Sequence, residues 1–445
     1  MSTIDTINTY AAAEEYILGI PKFTRKNNME HTRTFLKHLG NLQEEVKTIH
    51  VAGTNGKGSV CAYLRSILQE AGFTTGMFIS PHLVSMRERF QINGEMVSED
   101  AFLWAFKKVA DKLADMPENL REIAYHPTFF EYLFFMAMVL FDRYRVDYVI
   151  METGLGGRLD ATNSIDQKEV CIITSIGYDH MEYLGETLSD IAAEKAGIFR
   201  KNVPVVYFDK NKEVTETLEK CAKQVETKTF PVSFQAIKEI NTAHKTIDFS
   251  FQSNYYGYIR LRVSTIALYQ IENAVLAVNA IAQIADREKV TVKNLQEGIR
   301  KAHWEGRMEE IMPSVYLDGA HNTDGIQAFL RTVEKDGCTG RRRLLFSMVK
   351  EKQYQTVIAM LVQAGLFDEI GIVALQDARA LPLQELEDTF RQYTEAAIQK
   401  YDRIENALQD IISGRHVEDR VYVVGSLYLV GEVKALLRRH SHDKF

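Results

Sequence analysis

Gly53-Thr54-Asn55-Gly56-Lys57-Gly58-Ser59 is the stretch of this chain richest in groups that could do chemistry. Its glycines let consecutive backbone N–H groups turn towards one anion without a Cβ in the way. A helix beginning there adds the positive end of its dipole, and Lys57 can reach outer phosphates. The expected ligand is a nucleoside triphosphate. The strict form of such a loop has glycine five residues before the Gly-Lys pair and Ser or Thr after the lysine, whereas here Val51 and Gly58 hold those places. It is therefore a variant loop, and a hydroxyl for magnesium must come from Ser59, Thr54 or a distant segment. A glycine-rich turn without a ligand is the competing reading; the strand, lysine and helix in register weigh against it.

Other candidates lie just past apolar runs. Val146 to Met151 reads as a strand that delivers Glu152 into a second glycine-rich turn, Thr153 to Asp160, and Val170 to Ile176 delivers Asp179 and His180 in the same way. With the phosphate loop, Glu152 and His180 supply oxygen and nitrogen ligands for a divalent ion, which beside ATP is most often Mg2+. Thr128 and Glu131 match a T-x-x-E capping box, and a direct role of Thr128 in a substrate site stands beside that reading. Lys195, judged by spacing, is a solvated helix lysine. Asp318-Gly319-Ala320-His321-Asn322 and Gly425-Ser426-Leu427-Tyr428 both follow strands, where α/β proteins bind ligands, with a helix cap as the alternative for each.

The elements that must position these groups follow from periodicity. Ile49 to Ala52 suits a buried strand, and Ser59 to Ala71 sets Val60, Leu64, Ile67 and Leu68 on one helical face. Helices are expected over 7–18, 30–39, 98–113, 129–144, 187–199 and 271–284, with a polar, basic loop from Pro21 to Asn28. Strands are expected over 74–79, and hairpins around Asn93-Gly94 and between 247–251 and 258–263. His303-Trp304-Glu305-Gly306-Arg307 reads as a crossover, after which strands at 315–318, 344–348, 369–375 and 421–424 alternate with helices. Arg341-Arg342-Arg343 reads as a solvated edge.

At 445 residues two domains are expected, 1–301 and 302–445. An apolar fraction of 46% with 25% charged residues is ordinary for a globular protein, and a net charge of −7 argues against nucleic acid or an anionic membrane as the main partner. Cys61, Cys171, Cys221 and Cys338 show no paired metal spacing and suit a reducing compartment. With no signal-like start and no apolar run near the ~18 residues of a membrane span, the expectation is a cytoplasmic protein. The residues alone lead to an ATP-dependent transferase, ligase or ATPase with two α/β domains.

The motifs also resemble one family, the folylpolyglutamate synthases and dihydrofolate synthases, relatives of the Mur ligases. The resemblance spans nearly the whole chain. It rests on LGNLQ, GTNGKGS, SPHL, ETGLGGRLDATN, TSIGYDH, EKAGIF, GRMEE, DGAHN and GSLYLVG, in the family's order. It implies an N-terminal P-loop ATPase domain of Mur-ligase type and a smaller, Rossmann-like C-terminal α/β domain that binds glutamate. It further implies that Ser80, Glu152 and His180 hold magnesium with a carbamylated Lys195, replacing the bland reading of that lysine. Asn273, Arg307 and Asp318 join residues 53–59 as nucleotide contacts across a domain cleft, and His321, Ser426 and Tyr428 lie near the glutamate.

The implied reaction moves the γ-phosphoryl group of ATP to a folate or dihydropteroate carboxylate, and L-glutamate then attacks the acyl phosphate. Lys57, Lys195 and His321 are the implied catalytic groups, in a monomer holding the complete site. The chain departs from the family pattern at Arg87, at Glu305, where proline is frequent, and at Thr323, leaving loop shape and pterin specificity open. A muramyl peptide ligase and a non-catalytic ATP-binding module are the alternatives. No extra N-terminal domain of the muramyl type is visible, and a pure binder would not need Glu152, His180 and Lys195 together.

Overall fold

The computed structural model describes residues 6–22, 27–44, 46–243, 245–350, 353–377 and 379–442; residues 23–26 of the loop expected at 21–28 lie outside them. The chain divides into two compact units. One comprises 1–240, 248–263 and 272–302; the other comprises 241–247, 264–271 and 303–445.

The first unit is built on an eight-stranded sheet, whose strands are Lys47–Ala52 (β1), Thr75–Phe78 (β2), Phe90–Ile92 (β3), Glu95–Met96 (β4), Tyr148–Glu152 (β5), Val170–Ile173 (β6), Val205–Phe208 (β7) and Thr229–Val232 (β8). The order is β4-β3-β2-β5-β1-β6-β7-β8, parallel from β2 to β8 with an antiparallel hairpin at one edge. Strand β1 is central and buried from Thr48 to Ala52, as a parallel strand covered on both faces must be, with Ile49, Val51 and Ala52 supplying its apolar side chains. Helix Phe129–Tyr144 covers one face with a continuous buried run from Tyr132 to Phe141. Three antiparallel strands, Ile237–Ala243 (β9), Thr246–Ser253 (β10) and Gly257–Val263 (β11), replace the expected hairpin; β9 escapes periodicity because six of its seven residues are exposed.

The second unit has a six-stranded sheet, Arg307–Met312 (β12), Val315–Asp318 (β13), Arg342–Phe346 (β14), Glu369–Val373 (β15), Ile398–Tyr401 (β16) and Arg420–Val424 (β17), in the order β12-β13-β17-β14-β15-β16. All pairs are parallel except β12 with β13. Ala267 lies in its core, and Tyr269 donates to Asp318 at 2.7 Å, so 264–271 clusters with this unit.

Of the arginine run expected as a solvated edge, Arg341 alone is exposed. Arg343 is 6% exposed, between Asp419 and Glu369, and Arg342 pairs with the buried Asp336 at 3.1 Å. Charge-assisted pairing inside β14 accounts for the difference. No helix among the described residues is long and apolar enough to cross a membrane.

Candidate functional site

The strand order puts the chemistry of the first unit at the carboxyl ends of neighbouring strands. β1 and β5 pair with Val51 opposite Glu152, so the carboxylate stands two residues from the start of the glycine-rich loop. The loop then enters helix Lys57–Glu70, whose N-cap is Gly56 at φ +90° with no side-chain cap, leaving the first N–H groups of the helix for an anion. A Cβ on Gly56 would stand 2.5 Å from Asn273 Oδ1, and one on Gly53 would overlap the Thr174 side chain. These two glycines are required by close approach as well as by backbone angle.

Residues just beyond β6 brace the loop from behind. Thr54 N–H donates to Ser175 O at 2.8 Å, Ser175 Oγ donates to Asn55 O at 3.1 Å, and Thr54 Oγ1 bonds both the N–H and the carbonyl of Gly177 at 3.1 Å. Lys57 Nζ donates to Thr54 O at 3.2 Å, folding the lysine back over the loop. Gly58 and Ser59 are buried in the first helical turn. Asp179 and His180 lie six and seven residues past the end of β6, because that strand stops at Ile173 and not at Ile176. His180, at φ +49°, precedes helix Met181–Leu184, and its Nε2 is 3.7 Å from Asp179.

Lys195 is the largest departure from what helical spacing suggests. It is 4% exposed, and its Nζ donates to Gly53 O at 2.9 Å, against the loop itself. Burial pushes the ammonium down to about 7, and the positive charge of Lys57 pushes the same way, while Asp179 and Asp160 oppose both. Such an amine is partly neutral at physiological pH. Gly157 lets the second glycine turn approach this helix, since a Cβ there would meet Lys195 O at 2.7 Å.

Ser80 sits beyond β2, and its N–H donates to Glu152 Oε2 at 3.0 Å. The Glu152 carboxylate is an oxygen donor suited to a hard divalent cation, and this backbone bond ties to it a residue that carries a hydroxyl. Among the described residues, Glu152 and His180 are not part of a preassembled group of three His, Cys, Asp or Glu ligands. Thr128 is the N-cap of its helix with both capping-box bonds in place, and Glu131 also accepts from Asn27 and Thr32 at 2.8 Å.

The sequence reading missed a relay behind the second glycine turn. Asp160 accepts from Gly154 N and Leu155 N at 2.8 and 2.9 Å and from Thr162, whose Oγ1 is 2.8 Å from the buried His50 Nε2. Burial raises the Asp160 carboxyl above its ordinary range and holds His50 neutral. The available signal was an aspartate six residues after a glycine, placed to close a turn on its own backbone.

In the second unit Asp318 ends β13, almost fully buried. It accepts from Tyr269 OH, from Met308 N at 3.0 Å and from Ala320 N at 2.8 Å; burial raises its carboxyl, with Arg307 the main opposing charge. Arg307 is paired with Asp318 in the β12–β13 register and donates to Gly306 O at 2.8 Å. His321 Nδ1 is 2.8 Å from Gly319 O, and Asn322 caps the following helix. Ser426 Oγ accepts from Leu429 N at 3.0 Å, a helix-cap geometry, and Arg379 lies 4.6 Å over the Tyr428 ring.

Two family models cover these units: the Mur ligase middle domain over residues 51–281, and the Mur ligase, glutamate ligase domain over 306–427. A dihydrofolate synthase/folylpolyglutamate synthase of Bacillus subtilis is 32% identical over 442 residues, covering 96% of this chain and 99% of that protein. The chain belongs to the folylpolyglutamate synthase/dihydrofolate synthase family. A probable dihydrofolate synthetase of Schizosaccharomyces pombe is 30% identical, over 91% of this chain and 96% of its own length. The solved structure of E. coli FolC in complex with DHPP and ADP superposes with a TM-score of 0.82 at 26% identity, covering 98% of this chain and 99% of that one. Members of the family are Mur-type α/β ligases, and this chain is one of them.

Proposed function

We infer that this protein is an ATP-dependent ligase that joins L-glutamate to a folate by an amide bond, with reduced folates as acceptors and dihydropteroate as the second acceptor to test. The reading is carried by Lys195, buried against the Gly53 carbonyl of a phosphate loop whose neighbouring strand end is Glu152. Its family membership supplies the ATP-dependent ligase chemistry.

The γ-phosphoryl group passes to the folate carboxylate, releasing ADP and leaving an acyl phosphate. The glutamate amine attacks that carbonyl, loses a proton, and the tetrahedral adduct expels phosphate. Residues 53–59 hold the phosphates by backbone N–H groups and the Lys57 ammonium. Lys57 and Arg307 offset charge that develops on the transferring group. Asn273 and Asp318 are assigned to the nucleotide, Thr128 to the folate, and His321, Ser426 and Tyr428 to glutamate. His321 orients glutamate or the γ-phosphate.

Ser80, Glu152 and His180 would hold magnesium, which when bound polarises the γ-phosphoryl oxygens. The neutral Lys195 amine would combine with carbon dioxide, forming an N–C bond and releasing a proton, to give a carbamate whose oxygen completes the anionic donor set. An uncharged nitrogen is the form that can react, and the depressed pKa provides it. We place the enzyme in the cytoplasm, a reading supported by its four free cysteines, and take it to act as a monomer.

The test is incorporation of labelled L-glutamate with magnesium and ATP, run in parallel on tetrahydrofolate and dihydropteroate. Incorporation into tetrahydrofolate alone defines a polyglutamate synthase, and into both a bifunctional enzyme. Folded, ATP-binding protein that labels neither acceptor would overturn the folate assignment.

A further inference from the structure

His303, Glu305 and Glu309 form the one group of three His, Cys, Asp or Glu side chains among the described residues whose ligand atoms lie within 4.8 Å of one another. Their oxygens already face cations. Lys434 Nζ reaches both Glu309 oxygens at 2.7 and 3.0 Å and Glu305 Oε1 at 3.0 Å, and Arg438 is 3.4 Å from the other Glu305 oxygen. His303 Nε2 lies 3.8 Å from Glu309. A divalent ion here would have to displace an ammonium that is only 7% exposed, so the group is a charge network rather than a metal site.

That network ends on one peptide. Glu309 Oε2 accepts the Gly306 N–H at 2.7 Å, and Gly306 is left-handed at φ +66°. The Gly306 carbonyl accepts from Arg307 Nη1 at 2.8 Å and from Gly319 N at 2.9 Å. The guanidinium packs so closely on Gly319 that a Cβ there would lie 2.5 Å from Nη1. The direction of Arg307 therefore depends on how the Gly306 peptide is turned.

We propose that Lys434 is a positioning residue: by holding the Glu309 carboxylate against the Gly306 N–H, it fixes the turn that aims Arg307. The proposal rests on the reading of Arg307 as a nucleotide contact. Without the ammonium, Glu309 would be a mostly buried carboxylate lacking its closest countercharge; it would turn to water and release Gly306. Glu305, shared between Lys434 and Arg438, ties the residue before the turn to the same helix, Leu427–His442.

The experiment is a steady-state comparison of Lys434→Met, Lys434→Arg, Arg307→Ala and the Lys434→Met/Arg307→Ala double variant, with circular dichroism to confirm folding. In Lys434→Met the KM for ATP should rise roughly tenfold, as expected of a misaimed binding group. Lys434→Arg should restore most of the loss, since a guanidinium can also pair with the carboxylate. In the Arg307→Ala background, Lys434→Met should add nothing to the ATP effect.

An unchanged ATP KM in Arg307→Ala would overturn the nucleotide reading and the proposal with it. A raised KM in Arg307→Ala with none in Lys434→Met, or an equal rise in both backgrounds, would overturn the positioning role alone. Should Lys434→Met not fold, Glu309→Ala enters the same relay from its other end by removing the carboxylate that accepts both Lys434 Nζ and the Gly306 N–H, so a raised ATP KM supports the proposal and an unchanged one overturns it.

Discussion

Lys195 and Lys57 are two lysines whose side chains are held against one loop, and their mutual repulsion bears on which of them can become something else. Lys57 donates to Thr54 O, while Lys195, buried and near Lys57, is pushed to about 7. At pH 7 about half of such amines are neutral, against fewer than roughly one in a thousand for an ordinary lysine. Carbamate formation consumes the neutral amine, so it should increase as pH rises through about 7. With 13C-labelled bicarbonate, the wild type should show a carbamate resonance that strengthens between pH 6 and 8 and is missing in Lys195→Ala. A resonance of equal strength in that variant would assign it to another group. Ligation by Lys195→Ala should fall about a hundredfold or more, and Lys57→Ala should lose nucleotide-dependent ligation altogether.

Elements carry these residues, and how well the sequence reveals an element depends on what surrounds it. Strands β1, β5 and β13 were legible because apolar runs ended in polar, glycine-rich turns, which also exposed the loop at 53–59, Glu152 and Asp318 as candidates. Strands β8 and β16 were not: β8 is an edge strand containing Pro231, and β16 is a polar edge strand, Ile398–Tyr401. Nor could periodicity show that Lys195 is covered, since it reports which residues share a helix face but not what packs there. The same limit hid the segment after β2, where Glu88 accepts from Leu83, Val84 and Ser85 N–H groups, and His82 Nδ1 accepts from Arg89 Nε at 2.8 Å. Burial first, then the Arg89 charge, lowers His82 from 6.5 to about 4. Between those values the unfolded chain binds the proton more readily, so stability is fully present above about 6.5 and declines as pH falls towards 4, by up to about 1.4 kcal/mol per pH unit. Urea unfolding at pH 7 and pH 5 should show this loss in the wild type and less of it in His82→Gln. Parallel losses in the two would mean that another group titrates.

On the scale of the whole molecule, the chain visits its second unit before reaching the crossover. Residues 264–271 cluster with 303–445, placing Ala267 in that core and Tyr269 OH on Asp318. Asp318 is almost fully buried, and Tyr269 is one of three groups that donate to it. Removing one donor from a buried carboxylate costs about 1–3 kcal/mol. For a unit of this size that corresponds to a fall in its unfolding temperature of several degrees, at roughly 2–4 °C per kcal/mol. Tyr269→Phe keeps the ring and deletes only the hydroxyl, so calorimetry of the full-length variant should show that shift in the transition of the second unit. A fragment of residues 303–445 lacks Ala267 as well as the tyrosine, and should unfold at a lower temperature than the same unit does in Tyr269→Phe. A fragment as stable as that unit in the intact chain would show that 264–271 contributes nothing to its core. It would then leave Asp318 held by Met308, Ala320 and Arg307 alone.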